Sequence, residues 1–387
     1  MGGAIKMISN LDYTTLQQIW WIIIAIVGSL FLFLTFVQGG QTLLWQIAKT
    51  DVEKSLVVTS LGRKWEMPFT TLVLFGGALF AAFPKFYATS FGGAYWVWML
   101  ILFSFIIQAV SYEFRKKPDN LLGSTVYEAF LFINGSVGIL LIGAAVGTFY
   151  TGSNFTLDLY NKVTWDYTLL GINLRGLEAA FSLFNLSLGI FLVFNARVLG
   201  GLYLLNSIDL RSTPGLESRL RKQVWSSFLT ALPFLVYVLV SLLMMKGFSV
   251  DTSGTVSLVD YKYLSNLLAM PHLPALLLSG ILLVIYGVFS SVFKQANSGI
   301  WFSGLGTVLV GLVVLCLPAF NNTAFYPSKL DLQSSLTIHT ASSSMFTLTI
   351  MTYVALGIPF VLAYVIYVWK LMDSKKLTVE EVNKKSY

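Results

Sequence analysis

Residues 17–45 read QQIWWIIIAIVGSLFLFLTFVQGGQTLLW, and this apolar run decides the fold class. A helix needs about 20 mostly apolar residues to cross a hydrocarbon core that is about 30 Å thick. The run exceeds that length, so it predicts a membrane-spanning helix that tilts or projects from the bilayer. Gln38 and Gln41 flank a Gly-Gly pair near its end and place amide side chains within the span.

The rest of the chain has the same character. Of 387 residues, 56% are hydrophobic and only 11% are charged, whereas a soluble globular chain carries about 25% charged residues. There is too little polar surface for one soluble domain of this size. The composition also excludes disorder, coiled coil and nucleic-acid binding. A single cysteine, Cys316, excludes a disulfide framework and a thiolate metal site.

Eight further apolar runs predict an all-α integral membrane protein with nine transmembrane helices. They lie at about 66–90, 93–112, 124–150, 174–205, 223–247, 273–293, 299–320 and 344–370. We expect one membrane domain over 1–387, with four spans in 17–150 forming a first bundle, five in 174–370 and a cytoplasmic tail at 371–387.

The basic residues predict how the chain is oriented. Most of the 25 Lys and Arg residues fall in connections that share one side of the predicted topology, or in the tail. Because cytoplasmic loops carry an excess of Lys and Arg, the C-terminus should be cytoplasmic and the N-terminus outside. The opposite side has longer polar loops at about 151–173, 248–272 and 321–343.

Acidic side chains within spans are costly and are therefore candidates for function. Glu128 and Glu178 lie early in the fourth and fifth spans, but Glu66 stands out, in the context RKWEMP at residues 63–68. One interpretation is a carboxylate that conducts protons after its pKa is raised by desolvation. The other is a helix N-terminal acid, stabilised by the helix dipole and paired with Arg63. The residues alone leave both open.

Two other patterns favour structural roles, and a third argues against a haem or metal site in this chain. Arg175 and Glu178 have the spacing of an ion pair on one helix. Small residues at 76–78 and 81–82 would let another helix approach closely, before Pro84 kinks the chain. The two histidines, His272 and His339, lie in or beside the predicted outer loops. A haem buried among helices needs ligands at depth, so we expect this chain to ligate neither haem nor another metal.

The segment from Trp65 to Ala88 resembles subunit II of the cytochrome bd quinol oxidases. The family pattern is Trp-Asp-Gly-Asn, an apolar stretch, then Gly-Gly-Ala-Leu-Phe-Ala-Ala-aromatic-Pro-x-x-Tyr-Ala. Residues 76–84 and 87–88 match it in register. Trp20-Trp21, the YEFR motif at 112–115 and several short matches at 335–370 are also similar to the family.

The resemblance implies a fold of two four-helix bundles plus a peripheral helix, in the bacterial inner membrane. Subunit II would pair with subunit I, which carries the quinol site, two b haems and haem d. The complex would oxidise quinol, reduce dioxygen to water and take protons from the cytoplasm, and so contribute to proton-motive force. Subunit II would be the part of this oxidoreductase that ligates no haem. Some members hold a structural quinone in it, and a small single-span accessory subunit is a further partner to look for.

The resemblance also suggests which residues matter. Glu66 takes the position of the family's Asp after Trp, the carboxylate assigned to the proton route. Gln38 stands about where many members carry an Asp, and Gln108 where some carry an Arg. The proton-route candidates are Glu66, Gln38 and Trp65; the interface or support candidates are Gly76, Gly77, Gln108, Glu113 and Arg115. We expect no catalytic residue in this chain.

Two other classes of function stay open from the residues. One is an ion-coupled secondary transporter in which Glu66 and Glu178 bind the ion, since transporters use helices broken by Gly or Pro. The other is an assembly scaffold without a catalytic role. The sequence does not distinguish ubiquinone from menaquinone, and it does not reveal the route that oxygen takes.

Overall fold

A computed structural model describes residues 11–384 of the chain. The predictions that concern residues 1–10 and 385–387, at the two ends of the chain, lie outside this range. Within it the protein is mostly α-helical, as predicted.

The first apolar run forms two helices that continue one another, α1 (Tyr13–Leu34) and α2 (Phe36–Ile47). The junction is at Thr35, whose hydroxyl donates to the carbonyl of Leu32 at 2.6 Å. Trp20 and Trp21 are buried, and their indole N–H groups donate to backbone carbonyls of Leu348 and Leu315 at 3.1 and 3.0 Å. The first span is therefore anchored to the last two apolar runs.

A short helix that was not predicted precedes the second span. It is α3 (Asp51–Gly62), which begins with a capping box between Thr50 and Glu53. The second span follows as α4 (Glu66–Ala82). The helix breaks at Phe83 and restarts as α5 (Pro84–Tyr87), followed by a π-helical turn at Ala88–Gly92. The break at Pro84 is confirmed, since proline cannot donate the backbone hydrogen bond that a continuous helix requires.

Four further helical spans follow, the third to the sixth. The third is α6 (Tyr95–Phe114). The fourth combines α7 (Ser124–Ile133), a π-helical turn (Asn134–Gly138) and α8 (Ile139–Thr151). The fifth and sixth are α9 (Leu183–Ser207) and α10 (Pro214–Met244).

Two predicted span boundaries are wrong. The fifth span was expected from 174 but begins at Leu183, because Gly171 and Gly176 adopt positive φ and turn the chain through strands and a 3-10 helix. The sixth was expected from 223 but begins at Pro214, where proline at the first helical turn favours a start.

The remaining elements include three small hairpins on one end of the molecule. These are β1 (Phe155–Leu157) with β2 (Val163–Trp165), β3 (Thr168–Leu169) with β4 (Ile172–Asn173), and β5 (Gly247–Val250) with β6 (Val256–Val259). The helices are α11 (Lys262–Ala269), α12 (His272–Val292), α13 (Gly299–Cys316), α14 (Ile338–Ala341), α15 (Met345–Ala355), α16 (Ile358–Met372) and α17 (Val379–Lys384). Short 3-10 turns lie at Leu177–Phe181, Leu210–Ser212 and Leu332–Ser334.

Among residues 11–384, eight helical segments are long and apolar enough to cross a membrane, and α15 with α16 forms a ninth that is bent by 41°. Helix α9 packs against α2, α8 and α10, and α1 packs against α13 and α4. Gly39 makes the closest of these approaches possible, since any side chain there would collide with the backbone of Ala196.

The connections between the helices lie at two opposite ends of the molecule. The loops that contain the hairpins join one another through the bridges Ser153–Ser328 and Ser249–Thr323, and we call this the loop end. The other end holds the short basic connections, including Arg63, Arg115 and Arg219. We call it the basic end. The alternation of connections that the basic residues predicted is therefore present in the fold.

Candidate functional site

Glu66 is the first residue of α4 and is exposed on its side. Its carboxylate makes no hydrogen bond or ion pair with any residue in 11–384. The expected pair with Arg63 is wrong: the Arg63 guanidinium instead lies 3.3 Å from Glu381 and contacts the carbonyl of Met372. The predicted position at a helix N-terminus is correct.

Trp65 connects this helix start to the interior. Its ring stacks on Tyr112 of α6, with centroids 5.7 Å apart and planes inclined by 17°. The Tyr112 hydroxyl accepts a hydrogen bond from Gln41 at 3.0 Å. One turn earlier in α2, the Gln38 amide donates to the Gln108 side-chain oxygen at 3.4 Å. Two residues that the family pattern singled out separately, Gln38 and Gln108, are therefore neighbours.

The line of polar side chains continues towards the middle of the fold. Asn134, in the π-helical turn, donates to Ser104 at 3.3 Å. Both are buried, and Gly138 allows the approach because a side chain there would collide with Ser104. No local pattern in the sequence indicates the Ser104–Asn134 contact. We define the amide file as six residues: Gln38, Gln41, Ser104, Gln108, Tyr112 and Asn134.

The amide file has unused hydrogen-bonding capacity. The buried atoms Gln38 Oε1, Gln41 Oε1, Gln108 Nε2 and Asn134 Oδ1 find no partner among the described residues. Buried polar groups in proteins are almost always hydrogen-bonded, to protein or to water. The unpaired atoms of the amide file are therefore groups to which an ordered water molecule would bind.

A group of charged residues lies beside the amide file at the basic end. Glu128 is only 1% exposed, and its carboxylate accepts hydrogen bonds from Arg115 at 2.7 and 3.2 Å, Lys54 at 3.0 Å and Trp45 at 3.0 Å. We call these four residues the charge cluster. Its members come from four different helices or their caps, which is why sequence reasoning named Arg115 and Glu128 separately and missed Lys54 and Trp45.

The other predicted support residues lie apart from the file. Gly76 is buried, and a side chain there would meet Phe91 at 3.5 Å. Gly77 lies on the exposed side of α4, where a methyl group in place of its hydrogen would have no described atom within 4 Å. Glu113 is exposed and pairs with Lys117 at 2.6 Å. Gly77 thus shares the exposed side of α4 with Glu66.

The expected Arg175–Glu178 pair is wrong. Both residues precede α9 rather than lying on one span, and Arg175 has a positive φ of 38°. Glu178 accepts hydrogen bonds from the Asn154 amide at 3.3 Å and the Gly176 N–H at 2.8 Å. The carboxylate therefore ties two loop segments together at the loop end.

Neither histidine reaches the helical interior. His272 is exposed at the start of α12, and His339 Nδ1 lies 2.7 Å from the side-chain oxygen of Gln17 at the loop end. Burial lowers the pKa of His339. In residues 11–384, no three His, Cys, Asp or Glu side chains are grouped so that they could hold a metal ion. The histidines present do not fit axial ligation of a haem among these helices.

The second set of helices has a different interior. A cavity of about 110 Å³ lies mainly between α9, α10, α12 and α13, with walls formed mainly by Leu, Val, Ile and Phe. Leu32 of α1 and Gly143 and Val146 of α8 complete its wall on the side of the first set. Two of its polar residues, Asn195 and Thr307, lie 3.4 Å apart and hydrogen-bond to each other. Among the described residues, no charged side chain lines this cavity.

These observations define a multi-span membrane protein with one polar and one apolar interior. The family model described as cytochrome bd terminal oxidase subunit II matches residues 16–372. The chain therefore belongs to the cytochrome bd terminal oxidase subunit II family.

Individual relatives align with this sequence over nearly its whole length. It is 24% identical to the cytochrome bd-I ubiquinol oxidase subunit 2 of Escherichia coli (strain K12), which covers 97% of this chain and 99% of that protein. It is 26% identical to the probable cytochrome oxidase subunit 2 of Haemophilus influenzae, with 94% and 95% coverage. The bd oxidase structure from Geobacillus thermodenitrificans has the same fold, with a TM-score of 0.56 at 11% identity, over 91% of this chain and 98% of that one.

Family membership decides between the classes of function. The prediction of a terminal quinol oxidase subunit in the inner membrane, which partners with subunit I of a haem-containing complex, is confirmed. The ion-coupled transporter is not supported.

Proposed function

We propose that this subunit delivers protons to the oxidase through the Glu66 carboxylate, at its contact with subunit I. Subunit I holds two b haems and haem d, and there quinol is oxidised and oxygen is reduced to water. The observation that carries the proposal is that Glu66 is exposed, lacks a partner among the described residues and follows Trp65, which stacks on the amide file.

Glu66 and Glu128, two acids of the first helix set, differ in their ability to carry protons. A carboxylate that accepts several hydrogen bonds from cations stays ionised, and Glu128 accepts bonds from Arg115, Lys54 and Trp45. Glu66 has no such partner in residues 11–384, and in this proposal its carboxylate is the group that passes the proton on. Gln38 and Gln108 cannot ionise, and in this proposal they order water beside the route.

The exposed side of α4 is the surface that we assign to subunit I. Glu66, Thr70, Leu74 and Gly77 follow one another along it at helical spacing, and all are exposed. A helix of subunit I can approach the backbone at Gly77, where a side chain would meet none of the described residues. Contact there would remove Glu66 from bulk water without burying it in this subunit.

The proposed orientation places the basic end in the cytoplasm and the N-terminus outside. Two four-helix bundles then consist of α1–α2, α4, α6 and α7–α8, and of α9, α10, α12 and α13. The peripheral helix is α15–α16, supported by the exposure of α16, which has no buried residue.

A structural quinone and a small accessory subunit are the remaining components of the proposed complex. We do not place a structural quinone in the apolar cavity, because about 110 Å³ is well below the roughly 300 Å³ of a typical ligand site. A small single-span accessory subunit completes the proposed assembly.

The test is oxygen consumption by the purified complex carrying Glu66→Gln, expressed per haem. We expect turnover to fall by at least about tenfold, because a positioned proton donor contributes that much or more, while haem content stays unchanged. Glu66→Asp keeps the carboxylate and should retain most activity. Glu113→Gln is the matched control, since Glu113 is an exposed acid at the same end. Equal turnover in Glu66→Gln and wild type would refute the proposal.

A further inference from the structure

A second buried charge lies two residues before Glu66 and is used by none of the roles above. Lys64 is 1% exposed, although it sits in the turn between α3 and α4. Its ammonium nitrogen lies 3.2 Å from Asp373 Oδ1 and 4.7 Å from the ring centroid of Trp369. Asp373 follows directly after α16, so this pair joins the last span to the turn that leads into α4.

The chain after α16 folds back along the basic end. The Leu377 N–H donates to the Ser207 carbonyl at 2.9 Å, and the Leu377 carbonyl accepts from the Asp209 N–H at 2.9 Å. Leu377 and Val382 are buried. A second ion pair joins Arg63 to Glu381 at 3.3 Å. We call residues 373–382 the clasp, because they bind the α3–α4 turn and the end of α9 together.

The two ion pairs of the clasp differ in exposure. In the Arg63–Glu381 pair, the side chains are 24% and 42% exposed, whereas the Lys64 side chain is 0% and that of Asp373 is 15% exposed. Exposed pairs contribute little to stability. Removal of one partner of a buried pair is costly because it leaves the other charge uncompensated. Lys64 therefore depends on Asp373 in a way that Arg63 does not depend on Glu381.

The surroundings of Lys64 offer no substitute for Asp373 among the described residues. The neighbouring charged group, Arg63, is another cation, and the nearby Trp369 offers only a ring face. Tyr203 on α9 has a buried hydroxyl that makes no hydrogen bond with the described residues, but this group is neutral and cannot compensate the Lys64 charge. Loss of the Asp373 charge would therefore force Lys64 out of its site. Lys64 is adjacent to Trp65 in the chain, so the turn would move with it.

We propose that Asp373 is a positioning residue for the proton route: it holds Lys64, and thereby fixes the turn that sets Trp65 against Tyr112 and directs Glu66 to the exposed side of α4. The consequence for turnover rests on the function proposed for Glu66. The docking of the clasp does not.

The test compares Asp373→Asn with wild type in the intact complex. The exposed residues Lys375 and Lys376 are trypsin sites within the clasp, so release of the terminal peptide, followed by mass spectrometry, reports undocking. We expect release on the order of tenfold faster, because a buried pair is broken. We also expect per-haem oxygen consumption to fall several-fold, with an unchanged KM for quinol and a larger solvent deuterium isotope effect. Asp373→Glu should restore both.

Two controls keep the result interpretable. Glu381→Gln removes the exposed pair of the same clasp and should change peptide release less than about twofold. If Asp373→Asn fails to assemble, the double variant Lys64→Met with Asp373→Leu removes both charges, and its complex should assemble and release the terminal peptide as slowly as wild type. Failure of this variant to dock the clasp would contradict the role of the uncompensated Lys64 charge.

Unchanged peptide release in Asp373→Asn would overturn the clasp. Faster release with normal turnover and a normal isotope effect would overturn the positioning role. Normal turnover in Glu66→Gln would instead contradict the proposed proton route, and the release rates would still decide whether Asp373 holds the clasp.

Discussion

The interiors of the two helix sets differ sharply, although their apolar runs look alike in the sequence. The first set encloses the amide file and the charge cluster, with Glu128 held by three donors. The second set forms most of the wall of an apolar cavity of about 110 Å³, where Asn195 and Thr307 bond to each other. A polar interior can hold water and pass protons, whereas an apolar one can only pack or hold an apolar molecule. In the proposed function, the first set therefore delivers protons and the second supports the assembly.

The largest expected effect comes from the charge cluster. Glu128→Ala leaves the buried Arg115 and the half-buried Lys54 without a carboxylate, and the loss for Arg115 alone should cost about 3–5 kcal/mol. We expect the yield of intact, haem-containing complex to collapse, as measured by size-exclusion chromatography with haem absorption. Glu113→Gln, which removes an exposed pair, should leave the yield unchanged. A normal yield of the Glu128→Ala complex would show that the cluster does not hold the first set together.

A smaller effect is expected in the amide file. Gln38→Leu removes a buried amide without removing a charge, and it makes the file less able to order water. Turnover per haem should fall several-fold, while the yield of the complex should change little, because the lost hydrogen bond to Gln108 is long and contributes about 1 kcal/mol at most. Unchanged turnover would exclude the file from the route and leave Glu66 to act alone.

The smallest effect is expected in the second set. Asn195→Leu replaces a buried amide by an apolar side chain of similar size beside the cavity, and its partner Thr307 can bond to the helix backbone instead. Turnover should stay within about twofold of wild type, and the melting temperature of the complex should change by only a few degrees. A loss of turnover equal to that of Gln38→Leu would erase the distinction between the two interiors.

Apolar length and charge were sufficient to predict the architecture. The nine runs, the break at Pro84 and the alternation of basic and polar connections all follow from local patterns, and each is present in the fold. The start of the fifth span was wrong because the apolar content of residues 174–182 outweighed the turn signal of Gly176. Long apolar runs report where a helix can form, whereas turn residues decide where it begins.

The contacts of the candidate site were harder to predict. Glu128 joins Lys54, which is 74 residues away, and Arg63 joins Glu381, which is 318 residues away. A spacing rule finds partners only within a turn or two of one helix, so it offered Glu66 for Arg63 and Glu178 for Arg175. The sequence named Glu66 and Gln38 and the family resemblance gave them roles, but only the fold showed that Glu66 is exposed and Gln38 is buried.

The role proposed for Glu66 in admitting protons to the oxidase can be measured as proton uptake, without the other steps of turnover. The fully reduced complex is mixed with oxygen in a stopped-flow instrument, and a pH-sensitive dye follows uptake alongside oxidation of the haems. Wild type and Glu66→Asp should take up protons at similar rates. Glu66→Gln should take up the same number at least about tenfold more slowly. Uptake by Glu66→Gln at the wild-type rate would show that Glu66 is not on the proton route.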